Sequence, residues 1–156
     1  MKIRIIAVGK LKEKFWKDAV QEYVKRTSAY AKLEIVEVPD RDPAKCGGEA
    51  SAMQAEGADI LKAIPDGARI VLLAIDGKQY SSEAFAAKLQ EKMTAGTSSF
   101  CFIIGGSCGV DAAVKNAVDA KISFGAITLP HNLARVVLVE QLYRAFKIMR
   151  GEPYHK

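Results

Sequence analysis

The stretch Ile122–Lys156, ISFGAITLPHNLARVVLVEQLYRAFKIMRGEPYHK, constrains this chain more than any other. It opens as a β-type run containing a glycine and turns at Leu129–Pro130–His131. From Leu133 to Met149 there is no internal Gly or Pro, and the spacing predicts a helix. Asn132 is the expected N-cap, because its side chain can accept from a free N–H of the first turn. Leu133, Val136, Val137, Leu138, Val139, Leu142, Tyr143, Phe146, Ile148 and Met149 do not keep to one stripe. A helix apolar around most of its circumference has to be covered on more than one side. In a single small domain that demands a second layer, and another subunit is the simplest source. Beyond this helix the polar tail Arg150–Lys156 carries Tyr154 and His155.

Upstream, strands and helices alternate. Lys2–Val8 reads as a strand stopped by Gly9, and Leu11–Tyr30 as a helix with Leu11, Phe15, Trp16, Ala19, Val20, Tyr23 and Val24 turned inward. Leu33–Val38 is a second strand. Arg41–Gly57 is punctuated by Pro43 and Gly47–Gly48, can be a mobile excursion, and leads into a helix over Glu49–Ile64. Ile70–Ile75 is a continuous apolar run, the mark of a strand covered on both faces. Ser81 and Ser82 can cap a helix through Met93, with Gly96 as its stop. Phe100–Ile104 is the next buried strand, Asp111–Val118 a short helix, and Ile122–Leu129 a last extended run. This order predicts an α/β fold: one domain over residues 1–156, an open, mostly parallel sheet with helices on both faces. Ligands of such sheets sit at the carboxyl ends of the strands.

Composition narrows the function classes. The 156 residues are 49% hydrophobic and 26% charged, ordinary for a soluble globular domain, and their net charge of +5 suits a polyanionic partner. Cys46, Cys101 and Cys108 are odd in number and lack CxxC spacing, which with two separated histidines argues against a metal site and against a disulfide framework. The apolar run of MKIRIIAVGK is too short for a signal peptide, and no segment approaches the roughly 20 apolar residues of a membrane span. The expected location is the cytoplasm.

Three loops follow the buried strands: Ala74–Lys78, Gly105–Gly109 and Phe124–His131. The glycines of IIGGSCG allow close approach of a ligand, although a tight strand-to-helix turn uses the same residues. No dinucleotide fingerprint, phosphate loop or nucleophile elbow is present. His131 can serve as a general base or a hydrogen-bond donor, or simply fix its loop. Arg135, Glu140 and Arg144 lie on a helix otherwise dominated by apolar groups. Glu140 and Arg144 have the i,i+4 spacing of an ordinary intrahelical pair, yet Arg144 stands out because a cation on a largely buried helix needs a specific partner. Tyr154–His155 is either a frayed end or a pair of rings suited to closing over a nucleobase. Lys10, Lys12, Lys14, Lys17, Lys25 and Arg26 make either a solvated helix face or a phosphate-contacting surface. Phe15 and Trp16 read as core anchors rather than stacking platforms.

With IIGGSCG, the LPH turn, the closing PYHK and the opening MKIRIIAVGKLKEKFW in view, the chain resembles the RlmH family of SPOUT methyltransferases over essentially its whole length. The resemblance implies a C-terminal trefoil knot, an exception to the rule against threaded chains. It also implies a homodimer with S-adenosylmethionine (S-adenosyl-L-methionine) bound in the knot at the subunit interface. Its cofactor contacts map to Leu73, Gly105 and the run Phe124, Gly125, Ala126, Ile127, Thr128 and Leu129, largely through backbone groups. The implied substrate is N3 of a pseudouridine in a hairpin loop of large-subunit ribosomal RNA, met in the assembled ribosome. The imide N3–H is a weak acid whose proton must leave. His131 or His155 can take it, or Arg144 can stabilise the developing anion, with Tyr154 beside them. Two other readings stay open: a non-catalytic RNA- or ribosome-binding module, and a flavodoxin-like nucleotide-binding domain without a knot.

Overall fold

Lys2–Val8 forms strand β1, and every residue from Ile5 to Val8 is buried because the strand is covered on both faces. The computed structural model describes residues 1–155; Lys156, the last residue of the PYHK ending, lies outside them. After β1 come helix α1 (Lys14–Thr27), strand β2 (Lys32–Val38), the short helix α2 (Pro43–Cys46) and helix α3 (Glu49–Ala63). They are followed by β3 (Arg69–Gln79), α4 (Ser82–Thr94), β4 (Ser99–Ile104), α5 (Ala112–Ala117), β5 (Ala120–Ser123) and α6 (His131–Met149). The strands make one sheet in the order β2-β1-β4-β3-β5, and every pairing is parallel.

The alternation along each strand divides the core in two. Ile3, Ile5 and Ala7 of β1 and Phe100, Phe102 and Ile104 of β4 face α1, α4 and α6, with Val20, Leu89, Leu138 and Leu142 packed on them. Ile6 and Val8, with Cys101 and Ile103, face the other way onto Ile60 of α3 and Val114 of α5. Helices therefore cover both faces, as the parallel pattern requires.

Several boundaries differ from the sequence expectation. The first helix starts at Lys14 rather than Leu11, because Gly9 takes φ +89° and the Leu11 amide is claimed by Glu37 Oε1 at 3.1 Å. Only Val71 and Leu72 of β3 are buried, and Ile75 is 60% exposed, since the strand runs on past the end of its pairing with β4 at Leu73. The last extended run ends at Ser123, and residues 124–130 form turns. The closing helix begins at His131, so Asn132 lies inside its first turn. Pro130 takes the N-cap position in extended geometry, and its carbonyl accepts from Ala134 N at 2.9 Å.

One crossing positions everything downstream. Both Leu73 and Lys78 of β3 register on Ile122 of β5, so the strand wraps around that residue. Gly77 sits so close to the Ile122 peptide that a Cβ would collide with backbone. The chain then leaves β5 at the sheet edge and returns to start α6 beside the end of β1, where the His131 ring lies against Gly9.

Candidate active site

The carboxyl ends of β3, β4 and β5 open on a cavity of about 1130 Å³. Each wall has a local cause. The Gly105–Gly109 turn closes through a Gly106–Gly109 bridge, and Asp111 behind it caps α5 by accepting from Val114 N at 3.2 Å. On the opposite side, Ser123 Oγ accepts from Gly125 N and donates to Gly125 O, both at 3.1 Å. That pair of hydrogen bonds holds Gly125 at φ +117°, a conformation only glycine takes easily. Phe124 and Ile127 are left exposed at the rim.

Leu73, Gly105, Phe124, Gly125, Ile127, Thr128 and Leu129 all line this cavity, while Ala126 belongs to the same turn without lining it. His131 lines it as well. The lining is chiefly apolar side chains and glycine backbone, with Asp76, Lys115 and Lys121 among its charged members. Lys121 Nζ donates to Asp76 Oδ2 at 2.9 Å, and this hydrogen bond holds the Asp76 carboxyl below its usual range.

The other three candidates, Arg144, Tyr154 and His155, are elsewhere. Arg144 lies 13 residues beyond His131 on α6, about 20 Å along the axis. Glu140 Oε1 gathers Arg144 Nε at 2.9 Å and the Tyr154 hydroxyl at 3.0 Å, and the guanidinium sits 4.7 Å above the Tyr154 ring. Arg144 Nη1 is 3.2 Å from His155 Nδ1, and His155 Nε2 is 2.5 Å from Glu83 Oε1. Burial, then hydrogen bonds to Tyr23 and Glu140, push the Tyr154 phenol up. Its own backbone N–H, then His155, then Ser81 draw Glu83 down to about 2. The tail is therefore docked onto α6 and α4 rather than frayed.

Arginine has donors only, so Arg144 makes His155 Nδ1 an acceptor and leaves the ring proton on Nε2, facing ionised Glu83. His131 is in the same position. Arg135 Nη2 is 3.4 Å from His131 Nδ1, and the same nitrogen donates to Gly9 O at 3.1 Å. Arg135 Nη1 donates to Glu37 Oε1 at 2.6 Å. Neither histidine offers a free basic nitrogen in this arrangement.

Arg135 is the residue the sequence underrated. Its side chain is completely buried, whereas Arg144 keeps a quarter of its surface. Burial lowers its pKa, and Glu37 opposes that shift. The signal was present, since Arg135 falls between Ala134 and Val136 on the apolar helix, but its partner Glu37 lies 98 residues earlier and no helical spacing reveals it. Among the described residues no group of three or more His, Cys, Asp or Glu side chains could hold a metal ion, and no helix is long and apolar enough to cross a membrane.

Comparison with known proteins matches residues 1–155 to a family model described as "Predicted SPOUT methyltransferase". A Ribosomal RNA large subunit methyltransferase H from Listeria monocytogenes serotype 4b is 55% identical over 159 residues, covering 100% of both chains. The protein of the same name from Bacillus thuringiensis is 49% identical with the same complete coverage. Among solved structures, a probable methylase family protein from Haemophilus influenzae superposes with a TM-score of 0.54 at 12% identity, covering 96% of this chain and 66% of that one.

Proposed function

Because this chain belongs to the SPOUT methyltransferase family, we propose that it transfers a methyl group from S-adenosylmethionine to large-subunit ribosomal RNA, at N3 of a pseudouridine in the assembled ribosome. We place it in the cytoplasm, acting as a homodimer. The family's fold is knotted, and the double registration of β3 on Ile122 is the crossing that fits such a path. That membership displaces the flavodoxin-like reading.

The observation that carries the proposal is the convergence of Leu73, Gly105 and the 124–129 turn on one cavity. The space fits the cofactor: at about 1130 Å³ it reaches past the roughly 300–1,000 Å³ of ordinary ligand pockets, leaving room for a base beside the donor. Gly125 and Gly109 add open space where a Cβ would stand. Bound there, S-adenosylmethionine supplies an already activated methyl. The chain has to align the acceptor, exclude water and stabilise charge.

The tautomers favour the last of these over general-base catalysis. His131 presents an Nε2–H donor, and we assign it to a cofactor or substrate oxygen at the cavity wall. Arg144, Tyr154 and His155 lie off their own chain's cavity, and a second subunit is what would bring them to one. There Arg144 would stabilise the anion left on the ring oxygens once the imide N3–H has given its proton to solvent water. The broad apolar girth of α6 supports such an interface, since Val136, Val137, Ile148 and Met149 remain only half-buried within one chain.

Methylation of ribosomes from cells lacking the enzyme, followed by mass mapping of the product nucleotide, tests the reading directly. A methyl on N3 of a single pseudouridine is the expected result. Calorimetric titration with S-adenosylmethionine separates it from the alternative of a binding-only module, which need not take up the cofactor.

A further inference from the structure

Building on the ribosomal RNA reading above, we propose that Lys10–Lys17, the turn after β1 and the first turn of α1, is the surface on which the RNA loop lands. Lys10, Lys12 and Lys17 take backbone phosphates, and Phe15 stacks on a base flanking the one that enters the cavity. The sequence pattern put Phe15 in the core, but the structure turns its ring outward, 62% exposed. The ring is not loose. It leans on Trp16 with centroids 5.0 Å apart, and Trp16 in turn packs on the core. A rigid, exposed aromatic face among cations is how sequence-tolerant stacking on single-stranded RNA is built.

Charge selects the occupant. Residues 10–17 hold four lysines against one glutamate, all exposed. Lys14 is tied to Asp18 at 2.5 Å, whereas no ion pair engages Lys10, Lys12 or Lys17 among the described residues. Protein interfaces are depleted in lysine at their centres, whereas phosphate-binding surfaces are built from it. Position agrees. Gly9, the residue before Lys10, lies against His131 on the cavity wall, and Glu37 ties the Leu11 amide to Arg135. Lys17 lines a shallow groove of about 330 Å³ together with Glu37 and Arg135. The lysine bank is thereby fixed rigidly to the mouth of the site.

The test uses the full chain and ribosomes from cells lacking the modification. Phe15→Ala should raise KM for ribosomes on the order of tenfold. The double variant Lys10→Gln/Lys12→Gln should flatten the dependence of log KM on log salt by about two, one for each phosphate that is no longer neutralised. Both should bind S-adenosylmethionine as the parent does and keep its oligomeric state. An active Phe15→Ala or lysine variant with unchanged KM and salt slope overturns the proposal and leaves the methyltransferase reading intact. A change of oligomeric state in Phe15→Ala, with ribosome binding unaltered, assigns the ring to a protein contact and also overturns it. If the parent protein itself ignores both cofactor and ribosomes, the functional reading fails and takes this surface with it.

Discussion

Arg135 and His131 stand one helical turn apart on α6, with the guanidinium Nη2 3.4 Å from the imidazole Nδ1. The arginine cannot accept, so the neutral ring must carry its proton on Nε2. Nitrogen-15 NMR of histidine-labelled protein should show His131 as the Nε2–H tautomer, with Nδ1 shifted as an unprotonated acceptor. His131→Gln places an amide N–H near the Nε2 position and should keep more turnover than His131→Ala. Equal losses in the two variants would remove the donor role.

The same guanidinium carries the joint between β1, β2 and α6. Glu37→Ala strands a completely buried charge and should cost about 3 kcal/mol in urea unfolding. Glu37→Gln keeps an acceptor for both Arg135 and the Leu11 amide, and should cost about 1 kcal/mol. If the two variants unfold alike, Glu37 is not the counter-charge that keeps Arg135 buried.

The order of strands and helices was legible because period and punctuation are local. Ser81 caps α4 as its position before Phe85 implies, accepting from Ala84 N at 3.1 Å, and β4 fills the run from Ser99 to Ile104. What sequence could not give was set by contacts distant along the chain. Leu11 left the helix for Glu37, 26 residues away, and Phe15 and Ile75 turned outward although their spacing was apolar. The predicted cofactor loops do meet, because strand ends in a parallel sheet share an edge. Arg144, Tyr154 and His155 read as one site with His131 because the resemblance groups them, although 13 residues of helix already set Arg144 about 20 Å from His131 along one chain. Their cluster formed around Glu140 instead.

Gly77 tests the crossing. Its missing Cβ is what lets β3 pass against the peptide of Ile122, and the obstacle is backbone rather than a side chain that can swing aside. Gly77→Ala should therefore cost about 3 kcal/mol or more in chemical denaturation, at the upper end for overpacking. A variant as stable as the parent would show that the two strands have slack there.

Cysteine reactivity reports the inner core layer. Burial pushes the Cys101 thiol up to about 12, against a small opposing pull from Arg4. At pH 8, alkylation followed by mass spectrometry should modify the half-buried Cys46 and Cys108 and spare Cys101 until the protein unfolds. The sign for stability follows from the raised value. The contribution is whole below the ordinary thiol range near 9 and is lost as pH climbs from there through about 12. Labelling of Cys101 at the rate of the other two in native protein would contradict its burial.

The tail has its own titration. Glu83, drawn down to about 2, contributes to the docked state above its ordinary value near 4.5, and that contribution disappears as pH falls from there through about 2. Carbon-13 NMR of the Glu83 carboxyl should find its midpoint well below the ordinary glutamate value near 4.5. The backbone N–H is the larger cause and His155 the second, so His155→Ala should raise the midpoint only part of the way back. Ser81→Ala should raise it by less, since that hydroxyl ranks third. A Glu83 midpoint indifferent to His155→Ala would mean that the ring does not rest on α4 in solution, and the Arg144–Tyr154–His155 cluster would lose its anchor on that helix.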